Sequence, residues 1–158
     1  MPKLQHLCVR PITPADPPQL AAVHATAFPK AWDATALAGL LTTSRGLVAC
    51  APDGTPLGFL LWQQTDDDAD LLTLAVDPTA RRCGIARQLM QAMLREIALG
   101  SGRRVFLEVG KDNTAARCLY DALGFKAVGL RRNYYNHKPP EARDAWTLML
   151  QIAEPVRG

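Results

Sequence analysis

One stretch near the middle of the chain limits the fold more than any other. An apolar run at residues 71–76 is followed by an arginine-rich turn with a glycine, then by a helical pattern over about residues 84–99, and then by a second apolar run at residues 105–109. A strand, helix, strand order brings the chain back beside its first strand in the same direction. The sequence therefore predicts one parallel strand pair in a mixed α/β fold.

The helix in this stretch has two distinct sides. Its apolar residues are Ile85, Leu89, Met93 and Ile97, and its polar residues are Arg87, Gln88, Gln91 and Arg95. Such spacing is typical of a helix that packs one side against a sheet. We therefore expect its first turn to lie at the end of a strand.

The segments before this stretch predict a strand near residues 6–9, two helices and a hairpin. Asp16 precedes two prolines and is expected to cap a helix that runs to about Phe28, and Asp33 is expected to cap a second, shorter helix. Two apolar runs around the turn residues 52–54 predict an antiparallel hairpin.

The remaining segments complete the predicted architecture. The acidic residues 66–70 predict a turn, Asn113 begins a helix that a glycine ends, and two final strands follow near residues 126–132 and 145–152. The result is a single domain over residues 1–158, in which a mixed, mostly antiparallel sheet of about seven strands is flanked by about four helices.

Composition excludes several classes of protein. The chain has 158 residues, of which 48% are hydrophobic and 21% charged, as expected of one globular domain. It has no run of about 20 apolar residues and no signal-like start, so we expect a cytoplasmic protein without membrane contact. Four scattered cysteines predict neither disulfides nor a metal site.

The charge of the chain is mild overall but uneven along it. The formal net charge is +3, which is too small to predict direct binding of nucleic acid, although basic residues concentrate between Arg81 and Arg143. Gly84 and the small Ala86 leave the first helical turn open, and its N–H groups carry the positive end of the helix dipole. Together with Arg81 and Arg82, this turn could bind a pyrophosphate; a solvated, basic helix start is the alternative.

Three segments resemble one superfamily. "VDPTARRCGIA" resembles the acetyl-CoA motif Q/R-x-x-G-x-G/A of the GCN5-related N-acetyltransferases (GNAT), and "LEVGKDNTAARCLYDALGF" resembles their second conserved block. "RRNYY" and "DAWTLML" resemble the ending of the RimI type, which acetylates the N-terminal alanine of a small-subunit ribosomal protein. The resemblance covers about residues 71–150 and implies the GNAT fold, an acyltransferase activity and acetyl-CoA as cosubstrate without a metal.

The resemblance also implies which residues bind acetyl-CoA. In this superfamily one strand lies beside the pantetheine, and a backbone N–H near Val76 polarises the thioester carbonyl. The residues expected at the cosubstrate are Leu74, Ala75, Val76, Arg81, Arg82, Cys83, Gly84, Ile85, Ala86, Arg87 and Asn113. Asn113 is also a good helix cap without any ligand.

Glu108 and Tyr120 are the candidate catalytic residues. Glu108 is the one charged residue of an otherwise apolar strand, and an unpaired carboxylate there would have a pKa raised toward neutrality, as a general base needs. The alternative from the residues alone is a salt bridge with an arginine. Tyr120 lies on the apolar side of its helix, so the residues alone predict an aromatic residue of the core. By resemblance Glu108 is the general base, and Tyr120 is the general acid that protonates the departing thiolate.

For the acceptor side, the resemblance places Tyr134 and Tyr135 near the acceptor peptide; exposed loop aromatics are the alternative. Two positions depart from the family pattern. Gly110 stands where an arginine often follows the glutamate, and Arg143 stands where a Glu-Asp pair commonly precedes the last strand. Among the histidines, His24 is expected on a helix surface and His137 in a solvated loop.

Three functions remain open at this point. The first is transfer of an acetyl group to the N-terminal α-amino group of a protein, with a ribosomal protein as partner. The second is acetylation of a small amine such as an aminoglycoside, a polyamine or an amino acid. The third is a sensor that only binds acyl-CoA, against which the presence of both Glu108 and Tyr120 argues.

Overall fold

The computed structural model describes residues 6–136 and 138–153. The strands are β1 (Cys8–Pro11), β2 (Arg45–Cys50), β3 (Pro56–Thr65), β4 (Asp68–Val76), β5 (Arg104–Gly110), β6 (Lys126–Arg131) and β7 (Ala145–Gln151). The α-helices are α1 (Pro17–Ala27), α2 (Ala34–Leu40), α3 (Ile85–Leu99) and α4 (Thr114–Ala122). The predicted seven strands and four helices are therefore confirmed.

The seven strands form one sheet in the order β1-β2-β3-β4-β5-β7-β6. β1 and β3 pair with β2 antiparallel, and β5 and β6 pair with β7 antiparallel. The predicted parallel pair is β4 with β5, joined through Asp68–Asp70 and Arg104–Phe106. Beyond that ladder β4 continues to Val76 and β5 to Gly110.

Two compact units make up the chain. Of the described residues, unit one contains 6–63 and 72–96, and unit two contains 64–71, 97–136 and 138–153. The core of unit one gathers side chains from α1, α2 and the strands β2 to β4. Its buried members are Leu20, Val23, Leu37, Val48, Cys50, Phe59, Leu61 and Ala75.

The caps predicted for α1 and α2 behave differently. Asp33 caps α2 as expected, because its side chain accepts a hydrogen bond of 2.8 Å from the Ala36 N–H. Asp16 lies at the N-cap of α1, but its side chain accepts no hydrogen bond from the first turn of that helix. Instead Asp16 accepts two hydrogen bonds from the Arg10 guanidinium, at 2.8 and 2.9 Å, and one from the Thr13 N–H.

Asp16 is expected to stabilise unit one through this pairing. The bond from Arg10 is the main reason that the Asp16 pKa is lowered from its ordinary 3.8 to about 2. Because the folded-state pKa is depressed, the stabilisation is complete above about pH 4 and disappears as the pH falls toward 2. We expect Asp16→Asn to lower the free energy of unfolding at pH 7 by roughly 2 kcal/mol in urea titrations.

The matched control is Asp33→Asn. Asparagine caps a helix about as well as aspartate, so this variant should unfold within about 0.5 kcal/mol of the parent protein. An Asp16→Asn protein with unchanged stability at pH 7 would show that the Arg10 pair contributes nothing.

The prediction that His24 lies on a helix surface is wrong. The side chain is buried, and two aromatic rings stack with it: the ring centroid of Phe28 lies at 4.6 Å and that of Trp32 at 4.9 Å. The His24 Nδ1 accepts a hydrogen bond from the Trp32 N–H, and Nε2 lies 3.3 Å from the Thr73 hydroxyl. Burial lowers the pKa of His24, so the neutral ring with a proton on Nε2 fits this environment.

The acidic stretch is only partly a turn. Asp66 has the left-handed backbone of a turn residue, with φ of 53°, but β4 already begins at Asp68. Arg104, at the start of the neighbouring strand, donates a 2.7 Å hydrogen bond to the Asp68 carboxylate, which offsets the charge repulsion along the stretch. The sequence shows the acidic run but not this partner.

α3 follows the predicted pattern of buried and exposed sides. Its four predicted apolar residues are each no more than 2% exposed, and its four predicted polar residues are all exposed. Within the described part of the chain, no helix combines the length and apolar character that crossing a membrane requires.

β6 forms one edge of the sheet, and all six of its residues are exposed. Its pairing with β7 shifts by one residue, since Ala127 lies opposite Leu148 while Gly129 lies opposite Thr147. Val128 is therefore a bulge residue. Because side chains alternate along a strand, this bulge decides which β6 residues face the same side as Thr147.

Candidate functional site

The predicted anion-binding turn of unit one is built on two left-handed residues. After β4, φ is positive at Arg82 (65°) and at Gly84 (77°), and α3 begins at the next residue. Glycine adopts this backbone without strain, whereas arginine rarely does. Loops with such alternating backbone conformations often present their N–H groups to an anion.

The space around Gly84 fits a ligand that must come close to the backbone. A Cβ atom built on Gly84 would meet no atom of the described residues within 4 Å, so these residues leave the first turn of α3 uncovered on that side. Arg81, Arg82 and Arg87 are all exposed. An open helix start with three exposed guanidinium groups has the chemistry that a pyrophosphate requires.

The residues predicted beside the pantetheine divide into two groups. Ala75 is 1% exposed and belongs to the core of unit one, whereas Leu74 and Val76 are half-buried. Ala75 can therefore offer a ligand only its backbone. Of the residues around the turn, Ile85 is buried in the same way, while Cys83 and Ala86 are half-buried.

Gly58 in β3 is a residue that the sequence analysis missed. A Cβ on Gly58 would lie 3.0 Å from the Ala75 carbonyl oxygen, 3.1 Å from Ile85 Cγ2 and 3.2 Å from Val76 Cγ2. The absence of a side chain there lets the end of β4 and the start of α3 approach β3 closely. Glycine within a strand is the available sequence signal for such an approach.

Glu108 lies in unit two, on the β5 side opposite its buried residues. Val105, Leu107 and Val109 are buried. The carboxylate itself is not unpaired: its Oε2 accepts a 2.7 Å hydrogen bond from the Thr147 hydroxyl, and its Oε1 lies 3.6 Å from Nη1 of Arg131. The expectation that Glu108 is unpaired is therefore wrong, and the alternative, a salt bridge with an arginine, is correct.

Tyr120 is a buried residue of α4, in agreement with its position on the apolar side of that helix. Its side chain contacts Phe125 edge-on, with 5.8 Å between ring centroids. Burial raises the pKa of the Tyr120 phenol to about 12. The phenol therefore keeps its proton at every pH at which an enzyme of this kind would be assayed, as a general acid must.

The predicted acceptor tyrosines lie in the loop between β6 and β7. Their rings meet edge-on at 4.8 Å, with the Arg131 guanidinium over the Tyr134 ring and the Lys138 amine over the Tyr135 ring. Tyr134 is exposed and Tyr135 half-buried. The pKa of Tyr135 is raised, mainly by burial and further by neighbouring negative charges that include Glu108.

Of the two departures from the family pattern, Arg143 belongs to this loop and Gly110, the last residue of β5, lies against it. A Cβ on Gly110 would lie 3.3 Å from Tyr135 Cε2 and 3.8 Å from Lys138 Nζ, so the glycine leaves room for the loop. Arg143 donates a 2.6 Å hydrogen bond to the Lys138 carbonyl oxygen. Arg143 thus stabilises the loop, and this contact accounts for an arginine at this position without any bound ligand. His137 lies outside the described residues.

Asn113 caps α4, since its side chain accepts a 3.2 Å hydrogen bond from the Ala116 N–H. The prediction that Asn113 also contacts the cosubstrate stays a prediction.

A cavity of about 500 Å³ lies elsewhere in unit one, among the start of α1, the end of α2 and the beginning of β2. It contains none of the predicted site residues. Trp62 lines it, with the Arg45 guanidinium over its ring and paired with Glu96.

Comparison with known proteins agrees with the residue patterns. The model of the acetyltransferase (GNAT) family matches residues 14–125. The [Ribosomal protein bS18]-alanine N-acetyltransferase of Escherichia coli K12 is 37% identical over 83 residues, which cover 52% of this chain and 56% of that protein. The chain thus spans about half the length of this and similar curated relatives.

Two further relatives match over a longer part of the chain. The N-alpha-acetyltransferase RimI of Mycobacterium tuberculosis is 34% identical over 112 residues, which cover 68% of this chain and 67% of that protein. The crystal structure of the ribosomal-protein-S18-alanine N-acetyltransferase from Escherichia coli superposes with a TM-score of 0.86 at 27% identity, covering 95% of this chain and 96% of the other. On the evidence of the motifs, the fold and these matches, the chain belongs to the acetyltransferase (GNAT) family.

Proposed function

We propose that the protein transfers the acetyl group of acetyl-CoA to the N-terminal α-amino group of a protein, and that the N-terminal alanine of ribosomal protein bS18 is its acceptor. The observation that carries the proposal is Glu108, whose carboxylate accepts a 2.7 Å hydrogen bond from the Thr147 hydroxyl and lies 3.6 Å from Arg131. The names of the relatives described above support the same acceptor.

Acetyl-CoA supplies an activated acyl group with a thiolate leaving group. The exposed arginines Arg81 and Arg82 and the open N–H groups of the α3 start would bind its pyrophosphate. Leu74, Ala75 and Val76 lie on β4 past its ladder with β5, where they would offer backbone groups to the pantetheine and the thioester. Cys83, Ile85, Ala86, Arg87 and Asn113 complete the proposed set.

Glu108 and Tyr120 would carry out the two proton transfers of the reaction. The neutral amine attacks the thioester carbonyl carbon, a C–N bond forms and the C–S bond breaks. Glu108 accepts the proton that the amine loses, directly or through water, and Tyr120 gives its proton to the departing sulfur. An α-amino group, with a pKa of about 8, needs a weaker base than a lysine side chain near 10.4.

The aromatic pair Tyr134 and Tyr135 would contact the acceptor peptide. Arg131 and Lys138 lie over their rings, and each is also paired with a carboxylate, Arg131 with Glu108 and Lys138 with Asp112. The relatives described above are named for a protein acceptor, so the small-amine alternative is not favoured. The protein is expected to act in the cytoplasm, where its acceptor would be made.

An acceptor panel tests this proposal. Purified protein and acetyl-CoA would be incubated with a peptide that has the N-terminal sequence of bS18, with the same peptide carrying other first residues, with an N-terminally blocked lysine peptide and with spermidine. Mass spectrometry would locate the acetyl group. Acetylation of the alanine peptide at its α-amino group is expected, and turnover confined to spermidine or to lysine would overturn the proposal.

Gly58→Ala tests the proposed acetyl-CoA site of unit one. The added methyl would meet the Ala75 carbonyl oxygen at 3.0 Å, so the end of β4 and the start of α3 must shift. We expect the acetyl-CoA Kd, measured by calorimetry, to rise about tenfold, since a displacement of a few tenths of an ångström already disturbs several backbone contacts.

Gly39→Ala in α2 is the matched control for this variant. Within the part of the chain that the structure describes, a Cβ there meets nothing within 4 Å, and alanine favours the helix by about 1 kcal/mol, so acetyl-CoA affinity should not change. Equal affinity of the Gly58→Ala protein and the parent protein would contradict the role given to Gly58.

A further inference from the structure

Thr147 makes a short polar contact with Glu108, and the sheet register places it there. Glu108 of β5 lies directly opposite Thr147 of β7. Side chains of directly opposed residues in antiparallel strands lie on the same face. The Thr147 hydroxyl accordingly donates its 2.7 Å hydrogen bond to Glu108 Oε2.

The bulge in β6 completes this arrangement from the other side of β7. Because Val128 is the extra residue, Gly129 lies opposite Thr147 and Arg131 lies opposite Ala145. Gly129 and Arg131 therefore share the face of Thr147 and Glu108. Without the bulge, Arg131 would point to the other face and could not reach Glu108.

Each carboxylate oxygen of Glu108 thus has its own partner. Oε2 has the Thr147 hydroxyl at 2.7 Å, and Oε1 has Arg131 at 3.6 Å, which is longer than a direct hydrogen bond. The Thr147 contact is the short one and fixes the orientation of the carboxylate. It leaves Oε1, which is only loosely held, as the oxygen that can accept a proton.

We infer that Thr147 is a positioning residue for the general base Glu108: its hydroxyl holds Oε2 so that Oε1 is presented to the acceptor amine. The inference rests on the proposed function. It concerns the orientation of the base and predicts that Thr147 affects the rate through its hydrogen bond to Glu108.

Two titratable groups face Glu108 from neighbouring segments, namely Arg131 of β6 and Tyr135 of the following loop. The pKa of Tyr135 is raised above its ordinary value of 10, mainly by burial, so Tyr135 does not change charge between about pH 5 and 9. Guanidinium groups are not deprotonated in proteins. A change in the acidic limb of the pH–rate profile would therefore report on the carboxylate.

The test compares Thr147→Val with Thr147→Ser. Valine keeps the branched shape and removes the donor, and serine keeps the donor and removes the methyl group. Thr147→Val should lower kcat about tenfold, leave the KM for acetyl-CoA unchanged, and move the acidic limb of kcat/KM up by about one pH unit, because the charged carboxylate loses a donor. Thr147→Ser should restore both the rate and the profile.

Two results would overturn the inference. One is a Thr147→Val protein with the rate and pH profile of the parent protein. The other is a Thr147→Ser protein as slow as Thr147→Val, which would assign the effect to packing of the methyl group. If Thr147→Val does not fold, as judged by thermal unfolding, Thr147→Ala takes its place, with the same outcomes.

The double variant separates this inference from the proposed function. With glutamine at position 108, adding Thr147→Val should cause no further loss of rate, because there is no carboxylate left to orient. If Glu108→Gln alone retains the full rate, the base assignment itself is wrong. If Glu108→Gln is slow while Thr147→Val is normal, only the role of Thr147 is wrong.

Discussion

Replacing Glu108 with glutamine is expected to lower kcat/KM at pH 7 by about a hundredfold or more, within the range that general-base catalysis contributes. Glutamine keeps the shape and can still accept a hydrogen bond from Thr147, but it cannot take a proton from the acceptor amine. The loss should shrink at high pH, where more of the amine is already neutral. Initial rates of thiol release, measured from pH 6 to 10 with the alanine peptide, would give the profile.

Glu96→Gln is the control for this change. Glu96 is a glutamate of unit one that pairs with Arg45 beside the cavity described above. Surface pairs contribute little, so this variant should keep the rate and the profile of the parent protein. An unaltered pH profile in the Glu108→Gln protein would remove Glu108 from the mechanism.

The second large effect is expected from Tyr120→Phe. The buried phenol, with its pKa raised to about 12, is protonated throughout the assay range and can donate to a departing thiolate. Phenylalanine preserves the ring and its contact with Phe125 but removes the proton. We expect kcat to fall about a hundredfold, while the Kd of coenzyme A measured by calorimetry changes by less than about twofold.

A variant of the neighbouring residue distinguishes proton donation from packing. Phe125→Leu disturbs the ring that contacts Tyr120 but leaves the hydroxyl in place. It should lower the free energy of unfolding by about 1 kcal/mol and keep kcat within about threefold. A Tyr120→Phe protein as active as its parent would show that the thiolate leaves without this acid.

Local signals predicted much of the fold because they act over a few residues. The side chains of Asp33 and Asn113 cap helices three residues ahead, and the spacing of apolar residues along α3 matches its buried side. Gly84 has the left-handed backbone that glycine in a turn often adopts. Arg82 has a left-handed backbone too, but an arginine in the sequence does not indicate that conformation.

The environment of Glu108 could not be predicted in the same way. Its partners Thr147 and Arg131 are distant in sequence and meet it only through the pairing of β5, β6 and β7. Their positions depend on strand register and on one bulge, which a single sequence does not reveal. The burial of His24 escaped prediction for a similar reason, since its partner Thr73 lies on β4, 49 residues away.

The bulge at Val128 also affects how the protein behaves at high concentration. β6 is an edge strand, and a straight edge offers its free N–H and C=O groups to a strand of another molecule. The extra residue twists this edge and interrupts the regular spacing of those groups, and the terminal Lys126 and Arg131 of the strand add charge repulsion between copies. The same irregularity that brings Arg131 to Glu108 therefore protects the sheet from growing into aggregates.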